Sequence, residues 1–382
     1  GNSFHTAFVC YRMANEHQRR RERLLDSLPD DVPTVFLPPS ETLRYFTGLE
    51  MHKSERPMLL ALHRDGPPAA VLPKLETGRV REAVGDETEF FVYEDATDPV
   101  AAAKGAFEGY AAQFGTDERV AAEYRSTRLL EAEVISVTTP TDRIVDAEPY
   151  TAGLRERKDE AEVDALREAA AIIDRVLADV TPEIEPGMTE LEVARRIEKR
   201  VLDSDADDLG VLIVASGPNT AKPHTNTSER EIRDGDPLII DAGVVFEGYY
   251  SDITRSYLVG SDDEQIREFH EHTREAARVA REAVEPGTEL QAIDRAAREV
   301  IEDAGYGDAF PHRVGHGLGL EGHEPPYLVE GNDAPLEVGH AVTVEPGIYV
   351  EGVGGVRVED DVVVTEDGAE VLTSSPRELR VL

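Results

Sequence analysis

The chain is poor in cysteine, tryptophan and positive charge: it has one cysteine, Cys10, no tryptophan, and 40 Lys+Arg against 78 Asp+Glu. A lone cysteine excludes an intramolecular disulfide and a thiolate metal cluster. The formal net charge of −38 repels phosphate backbones and anionic lipid surfaces, so neither nucleic acid nor a membrane is an expected partner. No window approaches the roughly eighteen uninterrupted apolar residues of a membrane span, and no basic-then-apolar leader opens the chain. The expected location is the cytoplasm. Residues 1–12, GNSFHTAFVCYR, precede Met13 and fit nothing after it, so they read as a tag or an upstream extension that carries Cys10 with it.

Lysine is scarce even among the cations, with six lysines beside thirty-four arginines. Acid excess of this kind is tolerated in molar salt, where the Debye length falls to about 3 Å and self-repulsion is screened. The balance reads as that of a halophile's protein, with an ordinary acidic protein as the alternative. The 40% of hydrophobic residues are spread in periodic blocks along all 382 positions, which indicates a folded chain of about two domains.

From Met13 to about residue 149, a charged helix is followed by short apolar runs, VPTVFL, MLLALH and AAVLP, separated by turn residues. TEFFVY, a helical stretch from Val100 to Gln113, RVAAEY and DRIVDAE continue the alternation of strand and helix. The pattern predicts an α/β domain over 13–149. After Pro149 the periodicity lengthens into amphipathic helices, the second of them with Thr189 as N-cap. Strand-like runs follow: VLIVAS, PLIIDAGVVFEGYYSDITRSYLVG and AVTVEPGIYVEGVGGVRVEDDVVVT. Between them lies another helical pair, from Asp263 to Val284 and from Glu289 to Asp303. Residues 150–382 are therefore predicted to be an α+β domain with largely antiparallel strands. Its helices-then-hairpin order occurs twice, at 154–258 and 263–365, which suggests a pseudo-duplication.

Acidic residues inside the apolar runs carry the chemistry. Asp241 follows LII, Asp252 sits in YYSDITRSY, Glu345 follows AVTV, and Glu359 lies in GGVRVEDDVVV. An unpaired carboxylate among apolar strand residues costs several kcal/mol, so each needs a cation or strong hydrogen bonds. Asp252 and Thr254 share a strand face by the period of two and can oppose Asp241 across a hairpin. Arg357 and Glu359 point the same way, Asp360 the opposite way, and Asp361 again with Glu359. Four carboxylates and an imidazole, for which His316 in RVGHGLGL is the candidate, suffice as ligands for two divalent ions. Glycines 315, 317 and 319 leave room for close backbone approach beside it.

The motifs VASGPNTAKPH, IIDAGVVFEGYYSDITRSY, GHGLGLEGHEPP, VEPGIYV and GGVRVEDDVVVT, in this order, resemble those of the metal-dependent Xaa-Pro peptidases. That family comprises prolidase and aminopeptidase P. The resemblance implies a pseudo-duplicated, curved "pita-bread" catalytic domain covered by helices, preceded by a smaller creatinase-like domain. It implies a dinuclear site, with Asp241 on one metal, Asp252 and Glu359 bridging, and His316 with Glu345 on the second. It further implies substrate and transition-state roles for His224, His323 and Arg357, although Thr225 stands where the family commonly has an aromatic residue. The other histidines, at 5, 17, 52, 63, 270, 272, 312 and 340, are expected at the surface. The favoured metals are Mn²⁺ or Co²⁺, with Zn²⁺ or Fe²⁺ also compatible with the donor set.

The activity implied by the resemblance is hydrolysis of proline-containing peptides at the Xaa-Pro bond by a hydroxide bridging the ions. His323 would stabilise the oxyanion, Glu345 or a neighbouring carboxylate would pass a proton to the proline nitrogen, and His224 would wall the pyrrolidine pocket. The expected enzyme is an Xaa-Pro dipeptidase. Alternatives are an Xaa-Pro aminopeptidase, a hydrolase of the same fold acting on a non-peptide amide, and a non-catalytic binding module. The resemblance also implies a homodimer.

Overall fold

The computed structural model describes residues 16–114 and 118–382. The chain forms two compact units divided between Arg155 and Glu156, and the helix Glu148–Glu156 ends at that division. Residues 1–12, with His5 and Cys10, lie outside the described residues.

The N-terminal unit is built on six strands: β1 (Thr34–Leu37), β2 (Leu59–His63), β3 (Ala69–Pro73), β4 (Glu89–Tyr93), β5 (Val120–Ala122) and β6 (Ile144–Asp146). They form one mixed sheet in the order β4-β3-β2-β1-β5-β6. β2 pairs antiparallel with both neighbours, and the other pairings are parallel. Helix Pro99–Phe114 buries Ala103, Phe107 and Tyr110, a helical spacing that presents one face to the core. Phe107 and Tyr110 stack with ring centroids 4.6 Å apart. Three shorter helices, Glu41–Thr47, Thr77–Val84 and Leu129–Ile135, join the strands.

The second unit has two halves of like plan, each a pair of helices followed by a sheet. In the first half, helix Glu160–Val180 is capped by Asp159 and helix Glu190–Leu202 by Thr189. Thr189 accepts from the Glu192 N–H at 3.1 Å while Glu192 accepts from the Thr189 N–H at 2.7 Å, so two backbone donors are satisfied reciprocally. Both helices cover β7 (Asp208–Ser216), β8 (Pro237–Phe246), β9 (Tyr249–Tyr250) and β10 (Ile253–Leu258) through one apolar core. In the second half, helices Glu264–Glu282 and Leu290–Asp303 share a separate core with the later strands. These are β11 (Gly315–Gly317), β12 (Glu324–Leu328), β13 (Ala341–Val344), β14 (Gly347–Val350), β15 (Gly354–Arg357), β16 (Asp360–Thr365) and β17 (Gly368–Val371). β18 (Arg380–Val381) pairs with β10, giving sheets ordered β18-β10-β8-β7 and β12-β11-β13-β16-β17, plus the hairpin β14-β15. This duplicated, largely antiparallel α+β plan is that of the pita-bread fold. Among the described residues, no helix is long and apolar enough to cross a membrane.

Candidate metal centre

Of the four carboxylates expected within strands, Asp241 alone lies inside one, on β8. Asp252 immediately precedes β10, Glu345 falls between β13 and β14, and Glu359 between β15 and β16. The reason is that the ladders exchange partners at these points. The Asp252 N–H donates to Asp361 Oδ2 at 3.0 Å, the Glu345 N–H to the Val314 carbonyl at 2.8 Å, and the Glu359 N–H to the Thr254 carbonyl at 3.1 Å. Side chains at such breaks are freed from strict alternation, and all four converge. Thr254 pairs with Asp241 across the β8–β10 ladder, as expected of the hairpin. Its hydroxyl donates to Glu359 Oε2 at 2.5 Å and accepts from Arg357 Nε at 2.9 Å. Close packing of backbone holds β11 in place, since a Cβ on Gly315 would meet the Thr343 carbonyl oxygen and one on Gly317 would meet that of Pro325.

The donor atoms fall into overlapping groups. One oxygen each from Asp241, Asp252 and Glu359 lie within 4.8 Å of one another, as do donors from His316, Glu345 and Glu359. Glu359 belongs to both. Asp252 also forms such a group with His316 and His323. Asp241 Oδ1 and Asp252 Oδ1 are buried without a hydrogen-bond partner, as is Oδ1 of Asp361. Orphaned, enclosed carboxylate oxygens are what a cation would satisfy, so the donor set fits divalent ions. Burial, and then repulsion from Glu359 and Asp241, raises the Asp252 pKa well above the carboxylate range. Burial and Glu359 do the same to Glu345, and burial and Asp241 push Glu359 up to about 7.

His316 is held as a neutral imidazole. Its Nδ1 lies 3.0 Å from the Gly317 carbonyl, an acceptor, so Nδ1 carries the proton and Nε2 presents a lone pair. That lone pair faces Glu345 Oε1 at 3.4 Å, and burial lowers the His316 pKa to about 3. Two electron-rich atoms so placed call for a cation between them. The His323 ring stacks on His316 at 3.7 Å between centroids. Arg357 donates to Asp241 Oδ2 and lies 3.2 Å from the Tyr349 hydroxyl, so its guanidinium is held by three side chains including Thr254.

The four carboxylates, His316, His323 and Arg357 line one cavity of about 500 Å³, within the range of small-molecule sites, together with His224, Val211, Ile213 and Pro223. Two ionisable lining residues escaped the sequence reading. His312 is not a surface histidine: it sits 3.0 Å from the Tyr349 hydroxyl, and burial lowers its pKa to about 4. Its neighbour Arg313 lines the cavity as well. His270 and His340, also expected at the surface, are buried, His270 on the core-facing side of its helix and His340 beside the Arg157 bridge. Asp360 points away from the cavity, as expected, into a cluster with Arg255, Arg281 and Arg377.

Comparison with known proteins gives two family matches: metallopeptidase family M24 over residues 164–366, and the creatinase/prolidase N-terminal domain over residues 20–157. A probable dipeptidase, PepE, of Mycobacterium tuberculosis is 38% identical over 351 residues, covering 91% of this chain and 92% of its own. Among solved structures, a prolidase from Thermococcus sibiricus superposes with a TM-score of 0.88 at 33% identity, covering 96% of this chain and 99% of its own. An X-Pro aminopeptidase from Thermotoga maritima does so at 0.81 and 29% identity, covering 95% and 99%.

Proposed function

The chain belongs to metallopeptidase family M24, and from that premise we propose that it is an Xaa-Pro dipeptidase with two divalent ions held by Asp241, Asp252, His316, Glu345 and Glu359. The observation that carries this is the pair of three-donor groups sharing Glu359, all of them lining one cavity. The names of relatives, a dipeptidase and a prolidase, support a dipeptide substrate, and the T. maritima structure keeps Xaa-Pro aminopeptidase as the second reading. Donors of four carboxylates and one imidazole suit Mn²⁺, Co²⁺, Zn²⁺ or Fe²⁺, and the family resemblance favours Mn²⁺ or Co²⁺.

When bound, the ions would supply Lewis acidity and a water acidic enough to react near neutral pH. The protein's own groups supply the rest. Arg357 fixes Asp241, and Thr254 fixes Glu359, so the donor atoms are oriented before substrate arrives. His323 would donate to the carbonyl oxygen of the residue before proline as that oxygen gains charge. Glu345 or a neighbouring carboxylate would carry a proton to the departing proline nitrogen. The Xaa-Pro amide has no N–H of its own, so recognition falls to shape, and His224 with Pro223 forms wall for the ring. The charge of −38 supports a cytoplasmic, salt-adapted enzyme that avoids nucleic acid and membranes, and the family resemblance supports a homodimer.

The test is a panel of Xaa-Pro dipeptides, Xaa-Pro-Xaa tripeptides and small cyclic amides in molar KCl with Mn²⁺ or Co²⁺, together with metal analysis of the purified protein. The expected result is metal-dependent cleavage of the dipeptides, abolished in Asp252→Ala and Glu359→Ala. Folded variants with full turnover, or no cleavage of any peptide, would sink the proposal.

A further inference from the structure

Glu190 is the first residue of helix Glu190–Leu202, directly after its cap Thr189, and its side chain is fully buried. A carboxylate at that depth needs strong donors, and it has five. Oε1 accepts from the Ser216 N–H at 2.7 Å, the Ser216 hydroxyl at 2.9 Å and the Asn219 amide at 2.9 Å. Oε2 accepts from the Ser228 N–H at 3.0 Å and the Ser228 hydroxyl at 2.5 Å. Ser216 ends β7, and Ser228 lies on the segment that leads from it to β8. The helix adds its own first N–H groups to the same junction, Glu190 donating to the Arg230 carbonyl at 3.0 Å and Leu191 to that of Ser228 at 3.1 Å. One side chain thus ties together both ends of the strap 217–227.

That strap carries Pro223 and His224 into the cavity wall. Among the described residues nothing hydrogen-bonds the exposed His224 ring, so its place follows from the backbone that bears it. We propose that Glu190 is a positioning residue for proline recognition: by clamping the strap at both ends it fixes the wall that Pro223 and His224 present to the pyrrolidine ring. This inference rests on the Xaa-Pro peptidase reading and deepens it. A carboxylate is required because every partner donates. Glutamine in its place would turn its amide N–H groups toward the N–H of Ser216 or that of Ser228, and a backbone donor cannot reverse its role. The hydroxyls are committed as well, since Ser216 Oγ accepts from Arg230 Nη1 at 2.6 Å and Ser228 Oγ from the Arg230 N–H at 3.2 Å.

The experiment compares an Xaa-Pro dipeptide with its Xaa-pipecolate counterpart, whose ring is one methylene larger, on the Mn²⁺-loaded unsubstituted protein, Glu190→Gln and Ser228→Ala. Hydrogen exchange of the amides of 216–228 is followed in the same three proteins. Expected is a preference of the unsubstituted protein for the five-membered ring. In Glu190→Gln, KM for Xaa-Pro should rise roughly tenfold, the equivalent of about one hydrogen bond, with kcat changed much less. The proline-to-pipecolate ratio of kcat/KM should fall, and the strap amides should exchange faster. Ser228→Ala, which removes a hydroxyl donor and keeps the N–H, should shift the ratio the same way by less, and it decides the matter if Glu190→Gln does not fold. Metal uptake should match that of the unsubstituted protein, since no proposed ligand lies on the strap. The ratio is taken on one preparation, so an inactive fraction does not disturb it. No preference between the rings, an unchanged ratio in the variants, a loss of metal along with activity, or unchanged exchange in the strap would overturn the assignment and leave the peptidase reading intact. No turnover of the Xaa-Pro dipeptide by the unsubstituted protein would instead overturn that reading, and this inference with it.

Discussion

Removing metal should leave a site that fills with protons. Asp241, Asp252, Glu359 and Asp361 are buried and Glu345 nearly so; five carboxylates stand against two guanidinium groups, Arg357 and Arg313, an excess of negative charge that divalent ions would offset. Without ions, burial followed by mutual repulsion keeps Asp252 and Glu345 well above the carboxylate range, burial does the same to Asp361, and Glu359 sits at about 7. A carboxylate whose pKa is higher folded than unfolded binds more protons in the folded state. Its stabilising contribution is complete below the unfolded value and is lost as pH rises through the folded one. For Glu359 the rise from 4.5 to about 7 is worth roughly 3 kcal/mol at about 1.4 kcal/mol per unit. Asp252, Glu345 and Asp361 act in the same direction.

Metal requires the deprotonated ligands, so the loaded protein escapes this loss. The gap in melting temperature between protein with excess Mn²⁺ and protein with chelator should therefore widen between about pH 5.5 and 8. Across that window Glu359 alone contributes about 2 of the 3 kcal/mol, or roughly 4–8 °C for a unit of this size. The gap is the right quantity because His270 and His340, buried and lowered to about 4, tilt the absolute stability the other way in both forms. Differential scanning calorimetry at fixed high KCl reads it. Titration of Mn²⁺ into chelator-treated, desalted protein near pH 6.5 should also release protons, measurable in two buffers of different ionisation enthalpy. A gap that stays constant or narrows with pH, or metal uptake without proton release, would refute the reasoning.

Two further outcomes are expected. Asp360, fully buried, accepts from Arg255, Arg281 and Arg377 at 2.7–2.8 Å, and Arg255 also holds the carbonyl oxygens of Thr254 and Glu359. Asp360→Asn leaves three guanidinium groups facing a neutral amide and should cost roughly 3–5 kcal/mol in denaturant unfolding of the chelated protein; an unchanged midpoint would show the cluster to be dispensable. If the acid excess is an adaptation to salt, the melting temperature should climb between about 0.1 M and 3 M KCl as screening relieves self-repulsion, and a flat response would remove that reading of the composition.

Much of the fold was legible because local signals and long periodicity agree. Thr189 and Glu192 announce a capping box, and the helix behind them buries Val193, Ala194, Ile197 and Val201 at helical spacing. The repeat of helix pair and hairpin survives as two separate cores. The short helices of the N-terminal unit are different in kind. Glu41–Thr47 has its stop and start in plain view, Ser40 accepting from the Leu43 N–H and Gly48 at φ 72°, but seven residues are too few for a period to declare itself. His270 was also within reach: Ile266, Phe269, His270, Thr273, Ala276 and Ala277 all lie on the buried face of one amphipathic helix, and spacing alone would have moved it off the surface.

The candidate site divides along a similar line. Carboxylates in apolar runs are visible in a sequence because the cost of burying them has no local remedy, so Asp241, Asp252, Glu345 and Glu359 stood out one by one. How they meet was not visible, since the breaks that release Asp252, Glu345 and Glu359 from their ladders are made by hydrogen bonds to Asp361, Val314 and Thr254. His312 and Arg313 left no signal at all. They sit in a connecting segment without periodicity, and what brings them to the cavity is contact with Tyr349 and Tyr327 elsewhere in the chain. The carboxylates proposed as metal ligands are thus betrayed by being chemically out of place. A cavity-lining arginine need not be, because an arginine in a loop is unremarked until the fold sets it in a cavity wall.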